Sequence, residues 1–117
     1  YGTLKSPITA KEARYIASFL RRTHPHTKII AVDAAVGAEC DVGLIKVVSG
    51  PIQPGAGVNK TLPAIGDVSI LGIVAKKSPL TYALFNLTRM NVVYSMAEII
   101  TNSIQFLTNE ICEKQSV

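Results

Sequence analysis

Asp33 is the side chain of this sequence that is best placed to do chemistry. It interrupts the apolar, β-branched run KIIAVDAA over residues 28–35, which predicts a strand covered on both faces. We expect Asp33 near the carboxyl end of that strand, where open α/β sheets place their ligands and catalytic groups. A partly desolvated carboxylate there suits proton transfer or the binding of a cation. The alternative is an aspartate that only caps the following turn.

Further polar side chains lie on either side of this strand. Glu39 and Asp41 follow Asp33 within eight residues and could form a carboxylate cluster for a metal, although acidic loop residues are mostly solvated. His24 and His26 have the alternate spacing of histidines that can ligate a metal. Because they follow a predicted helix, interaction with its C-terminus and with solvent is the favoured interpretation.

Residues 50–59 (GPIQPGAGVN) predict a loop with three glycines, two prolines and no charged side chain. Glycine lets another backbone approach closely, and proline lowers the entropy that the loop loses on binding. The alternative is a packed crossover between strands that uses glycine and proline only for shape. Lys60 follows the loop and could face an anionic group, whereas Lys46 occupies the exposed position of a half-covered strand.

Helical and strand patterns alternate around these residues. The pattern Thr9-Ala-Lys-Glu12 is a capping box, so a helix begins there, and His24-Pro25 ends it. Its apolar positions recur at helical spacing: Ala13, Ile16, Ala17 and Leu20. Two further strands are predicted over residues 43–48 and 67–75.

A long helix is predicted over residues 89–113, after a short helical turn that follows Ser78-Pro79. Its apolar side chains form one seam with steps of four and three residues: Val93, Ala97, Ile100, Ile104, Leu107 and Ile111. Such a seam is core contact in most helices and a partner-helix surface in some. The order of elements predicts one α/β domain over residues 1–117. Two helices cannot cover both faces of its sheet, so we expect the chain to be the C-terminal part of a longer domain.

Composition narrows the choice of partners. Hydrophobic residues make up 48% and charged residues 17%, which favours association with a second copy or another protein. The net charge of +4 is dispersed and not interleaved with aromatic residues, so nucleic acid is a disfavoured partner. No apolar run approaches the roughly 20 residues of a membrane span, and no signal peptide is evident. Cys40 and Cys112 lack the spacing of a disulfide or zinc framework, so we expect reduced thiols in a cytoplasmic protein.

Three segments carry a family resemblance: AVDAAVG, GPIQPGAGVNKTLPAIGD and LGIV. Together with the opening YGTL and the stretch NLTR at residues 86–89, they resemble the YyaC-type sporulation protein family, to which a spore-protease role is ascribed. The resemblance covers nearly the whole chain. More distantly, the VDA strand end and the glycine loop are similar to those of the germination protease family. That fold is similar to the hydrogenase maturation endopeptidases, which implies a three-layer α/β/α arrangement with a mainly parallel sheet.

The resemblance also implies roles for individual residues. In the germination protease family, peptide hydrolysis is attributed to two aspartates, and the VDA motif places the second on Asp33. The maturation endopeptidases hold a metal with an aspartate at a similar strand end, so Asp33 is alternatively the ligand of a divalent metal. The loop would then run close to the Asp33 carboxylate and offer backbone amides to a peptide or to the developing oxyanion. The candidate substrate-binding residues are Gly50, Pro54, Gly55, Gly57 and Asn59.

The first acidic residue of the germination protease family lies near a T-D-R-S-T-G-D-like motif that this sequence does not contain. A lone aspartate cannot divide the acid and base roles between two groups. Two functions are therefore implied. One is a peptidase acting on small spore proteins or peptides in the cytoplasm of the developing or germinating spore. The other is a non-catalytic sporulation regulator, or a homo-oligomeric assembly protein, that retains the fold without a complete active site.

Overall fold

The computed structural model describes residues 1–53, 62–78 and 90–116. Its elements are α1 (Ala13–Thr23), β1 (Ile30–Gly37), a short 3-10 helix (Glu39–Asp41), β2 (Ile45–Ser49), β3 (Val68–Lys76) and α2 (Met90–Gln115). The predicted order of helix, three strands and helix is confirmed, with strand ends displaced by one or two residues. The helical turn predicted after Pro79 lies outside the described residues. Within them, no helix is both long and apolar enough to cross a membrane.

The start of α1 contains half of the predicted capping box. The Thr9 hydroxyl and the Thr9 backbone N–H (2.9 Å) both donate to the Glu12 carboxylate. The Glu12 backbone N–H donates to the Thr9 carbonyl (3.1 Å) instead of the Thr9 hydroxyl, and the helix begins only at Ala13 with Glu12 as its N-cap. The two Thr9 donors, the hydroxyl foremost, hold the pKa of Glu12 below its usual value because they stabilise the charged carboxylate.

The rest of α1 follows the predicted pattern. Ala13, Ala17 and Leu20 are buried and Ile16 is half-buried, which confirms a single apolar face. The helix ends at the predicted place, because His24 is its C-cap and donates its backbone N–H to the Leu20 carbonyl (2.8 Å).

The sheet has the strand order β1-β3-β2. Asp67 donates its N–H to the Ile29 carbonyl (2.7 Å) and Lys77 donates its N–H to the Gly37 carbonyl (2.7 Å). Residue numbers therefore rise together along β1 and β3, so these two strands are parallel.

The other pair of strands is antiparallel. Ile73 of β3 donates its N–H to the Leu44 carbonyl (2.9 Å), and Gly50 donates its N–H to the Asp67 carbonyl (2.9 Å). Beyond the strands, Ile52 and Ile65 form an antiparallel bridge. The described sheet is thus mixed, with one parallel and one antiparallel pair. The three-layer arrangement and the mainly parallel sheet stay predictions.

The chain divides into two compact units. The first unit comprises Tyr1–Asp33 and Lys46–Leu71, and its buried apolar residues include Ala31 of β1, Leu62, Ile70 of β3 and the apolar face of α1. The second unit comprises Ala34–Ile45 and Gly72–Val117, and its buried apolar residues include Ile73, Val74, Met96 and Ile100.

Asp67 ties the ends of all three strands together within the first unit. Besides its backbone bonds to Ile29 and Gly50, its carboxylate accepts the Ile29 N–H (2.8 Å). Ser69, only 2% exposed, donates its hydroxyl to the Gly50 carbonyl (2.6 Å). Gly66 has φ +98°, and a Cβ there would lie 2.9 Å from that of Ala31, so the position requires glycine.

The prediction that β1 is covered on both faces is wrong for the described residues. Ala31 is buried, but Ile30 and Val32 are 47% and 51% exposed. The strand stands at one end of the described strand order and has a strand neighbour on one side only. An apolar run indicates that its side chains tend to be buried. Whether they are buried depends on the elements that pack against the strand.

The predicted seam of α2 is buried in part. Ile100 is buried and Val93 and Ile104 are half-buried, whereas Leu107 and Ile111 are 58% and 55% exposed. Ala97 is also exposed, while Met96, which the seam omitted, is buried. Among the described residues, the C-terminal half of the seam is therefore not core contact.

We expect Ser69→Ala to destabilise the protein by about 1–2 kcal/mol, because it leaves the Gly50 carbonyl without its buried donor. Denaturant unfolding measures the change. Ser49→Ala, at an exposed position of β2, is the matched control and should stay within about 0.5 kcal/mol of wild type. Equal effects of the two substitutions would show that the buried bond does not stabilise this end of the sheet.

We expect Glu12→Gln to lower the thermal midpoint at pH 7, because the variant loses the charged acceptor for Thr9. The folded-state pKa of Glu12 lies below its unfolded value of 4.5. The stabilisation is therefore complete above pH 4.5 and is lost as the pH falls through the folded-state pKa. Midpoints of wild type and variant measured between pH 7 and pH 3 should converge at the acidic end. A gap of constant size over this range would contradict the prediction; Glu98→Gln serves as a surface control.

Candidate functional site

Asp33 is the fourth of the eight residues of β1, and it is exposed. The predicted place near the carboxyl end of a covered strand is wrong, because the strand continues past Ala35 to Gly37. At Gly37 a Cβ would lie only 3.0 Å from Ile73 Cγ2, so the glycine allows the strand to pack closely there. The partial desolvation expected for Asp33 is likewise wrong, and the residue is open to solvent instead.

Gly50, the first residue of the predicted glycine loop, directly follows β2 with φ +109°. It bonds to Asp67, which bonds in turn to Ile29, four residues before Asp33. These bonds form a row, Ile29–Asp67–Gly50, across the sheet. At about 3.3 Å per residue, this row lies ~13 Å from Asp33, toward the amino end of β1. The structure therefore does not bring Gly50 and Asp33 together.

The other predicted loop residues, Pro54, Gly55, Gly57 and Asn59, lie outside the described residues, as does Lys60. Their role in substrate binding stays a prediction. Pro51 and Ile52 are described, and the bridge from Ile52 to Ile65 continues away from the row that contains Asp67.

The remaining acidic candidates do not form a metal site within the described ranges. Glu39 bonds to Lys76, whose Nζ lies 2.7 Å from its Oε2 and holds the pKa of Glu39 below its usual value. No group of three histidine, cysteine, aspartate or glutamate residues in residues 1–53, 62–78 and 90–116 could hold a metal ion. Cys40 and Cys112 are exposed free thiols.

A pocket in the first unit brings together residues that lie far apart in the sequence. It has a volume of about 380 Å³ and is formed by the last turns of α1, the turn after it, and residues 64–67. Apolar walls come from Ala17, Leu20, Ile29 and Ile65. The first part of the predicted loop contributes Pro51.

Arg21 and His24 of this pocket are three residues apart and share one side of α1. Arg21 donates from Nη2 to the Ala64 carbonyl at 3.5 Å, near the limit for a hydrogen bond. His24 Nε2 lies 2.8 Å from the Tyr1 hydroxyl. Asp67 also lines the pocket, with Lys28 Nζ 3.9 Å from its Oδ1.

The lining thus combines one guanidinium, one carboxylate and the polar side chains of His24 and Thr27 with an apolar wall. Sequence reasoning noticed His24 but missed Arg21 and Asp67 as neighbours. The helical spacing of Arg21 and His24 was a usable signal. The sequence offered no such signal for the contact of residues 64–67 with this pocket, because that contact depends on the register of β3 against β1.

Comparison with known proteins gives the family. The model of the family described as "Protein of unknown function (DUF1256)" matches residues 1–103. "Uncharacterized protein YyaC" of Bacillus subtilis (strain 168) is 36% identical over 104 residues, which cover 89% of this chain and 51% of YyaC. The chain thus spans about half the length of the curated relative that it matches. No solved structure matches it. The match over residues 1–103 and the identity to YyaC confirm the resemblance: the chain belongs to the DUF1256 family, as a YyaC-type member.

Proposed function

We propose that this chain carries the active-site strand of a peptidase of the germination-protease type. The observation that carries the proposal is the position of Asp33, which is a solvent-exposed carboxylate at the centre of a strand at one end of the described strand order. The VDA motif assigns the catalytic role to this residue by resemblance, and exposure leaves it open to a substrate. The site would belong to a three-layer α/β/α fold with a mainly parallel sheet, of which β1 and β3 form one parallel pair.

The surroundings of Asp33 favour a peptide as substrate. Ile30 and Val32 lie on the opposite face of β1 from Asp33, so the support for a peptide comes from the place of β1 at one end of the described strand order. Extended peptides bind beside edge strands, where main-chain hydrogen bonds give affinity and alternate side chains give specificity. Small spore proteins or peptides in the cytoplasm of the developing or germinating spore are the proposed substrates.

Asp33 acts as the base in this proposal. Its carboxylate takes a proton from a water molecule as the water oxygen attacks the peptide carbonyl carbon and forms a tetrahedral intermediate. The protonated Asp33 then returns this proton to the amine nitrogen as the C–N bond breaks. Backbone amides of residues 55–59 are the predicted donors to the oxyanion, since Gly50 is bonded to Asp67 away from Asp33. The alternative role of Asp33, as the ligand of a divalent metal, is the one that the likeness to the maturation endopeptidases implies. In the germination protease family, hydrolysis is attributed to two aspartates. The full-length protein is therefore the species to test.

A second candidate function rests on a different surface. Phe106, Leu107 and Ile111 expose apolar side chains on the last turns of α2. Apolar residues repeated on one helix face commonly pack against a partner helix. This observation favours a non-catalytic regulator or assembly protein that associates with a second copy of itself through α2.

We expect Asp33→Asn to lower peptide hydrolysis by the full-length protein by about 10²-fold or more, because the amide cannot accept the proton of water. Turnover of a small spore protein, followed by mass spectrometry, measures the loss. Circular dichroism should show an unchanged fold, since the residue is exposed. The matched control is Glu98→Gln on the exposed surface of α2, which should retain wild-type turnover. Wild-type turnover by Asp33→Asn would exclude the peptidase assignment.

If α2 mediates self-association, Leu107→Glu combined with Ile111→Glu should convert an oligomer to a monomer, because charge opposes burial of this surface. Light scattering after size exclusion gives the mass of each species. Asn109→Glu adds charge at an exposed position of the same turns and should leave the mass unchanged. A wild-type protein that is already monomeric at high concentration would exclude this second function.

A further inference from the structure

We propose that the pocket of the first unit binds a carboxylate joined to a short apolar group, with Arg21 as the residue that holds the carboxylate. This site is separate from the peptidase proposal and does not depend on it. The pocket has a volume of about 380 Å³, within the range of roughly 300–1,000 Å³ typical of small-molecule sites.

The apolar half of the site is built on α1. Ala17 and Leu20 are among the buried residues of the first unit and form the helical wall of the pocket. Ile29 and Ile65 complete it from the sheet side and are half-buried. Because Ala17 and Leu20 belong to the core, the helical wall of the pocket is pre-formed, and an aliphatic group placed against it would leave water at little conformational cost.

The polar half is dominated by Arg21. A guanidinium has five N–H donors, and within the described part of the chain its one hydrogen bond is the 3.5 Å contact with the Ala64 carbonyl. Most of its donors are therefore available to a ligand. Their planar fork matches the two oxygens of a carboxylate, which gives shorter and stronger bonds than neutral pairs. His24 and Thr27 line the same pocket and add side chains able to donate hydrogen bonds.

The charge balance of the pocket favours an anion over a cation. Asp67 is the carboxylate of the lining, but it already accepts the Ile29 N–H at 2.8 Å and lies 3.9 Å from Lys28 Nζ. Within the lining Arg21 balances Asp67, and Lys28, which lies outside the lining, partly offsets the charge of the Asp67 carboxylate. Inorganic phosphate would satisfy Arg21 and leave the apolar wall uncovered, so a carboxylate with an aliphatic group fits both halves better.

Two sources can supply this chemistry: the C-terminal residue of a peptide, or a free short-chain carboxylic acid. Titration calorimetry distinguishes them with three probes: acetyl-Ala-Ala-Leu with a free C-terminus, the same peptide as its C-terminal amide, and 4-methylpentanoate. The proposal expects the free peptide to bind and its amide to bind at least about tenfold more weakly, since loss of one charge-assisted contact has that size. Tighter binding of the peptide acid than of 4-methylpentanoate identifies a peptide terminus as the ligand, and the reverse identifies a free acid.

Arg21→Gln and Arg22→Gln form a matched pair of variants, because both residues are exposed near the end of α1 and only Arg21 lines the pocket. Arg21→Gln should weaken binding of the preferred acid at least about tenfold, and Arg22→Gln should change it by less than about twofold. Equal losses in the two variants, equal binding of acid and amide, tighter binding of inorganic phosphate, or no binding of any probe would each overturn the proposal. Equal thermal midpoints of the variants and wild type exclude misfolding as the cause of a loss.

Discussion

The hydrogen-bonded row Ile29–Asp67–Gly50 is the constraint on which the first unit depends. Asp67 bonds to Ile29 through its backbone N–H and its carboxylate, and to Gly50 through its carbonyl. These bonds align one end of each of the three strands. The buried Ser69 hydroxyl satisfies the Gly50 carbonyl at the same level. The row fixes the register of β3 between a parallel neighbour and an antiparallel one. It also brings residues 64–67 against α1, which forms the pocket that contains Arg21.

Two aspartates of this unit illustrate the difference between a structural and a candidate functional carboxylate. The carboxylate of Asp67 is used by the backbone of Ile29, so its loss would release the strand end. Asp33 lies in the middle of an apolar strand and is exposed, on the face opposite to Ile30 and Val32. An exposed carboxylate in such a strand contributes little to the stability of the core. Its presence there therefore favours a role in binding or chemistry.

Local patterns predicted the elements well. The periodicity of Ala13, Ala17 and Leu20 identified the buried face of α1, and β-branched runs located three strands. Relations between elements were not predictable in the same way. The local sequence does not show that β2 is antiparallel to β3 or that β1 stands at one end of the described strand order. It also does not show that Leu107 and Ile111 are exposed. The pocket joins Arg21 to Ala64 across 43 residues, so its existence depends on tertiary register. The glycine loop was expected beside Asp33, but its described beginning is anchored at the Asp67 row instead.

The central claim is that a substrate peptide lies beside β1 with its scissile bond at Asp33. The most direct test is a crystal structure of the full-length protein with a peptide whose scissile amide is replaced by a non-hydrolysable bond. The account predicts an extended peptide along β1 and an Asp33 carboxylate within hydrogen-bond reach of the replaced bond, directly or through one water. A peptide bound elsewhere, with Asp33 away from the replaced bond, would contradict it.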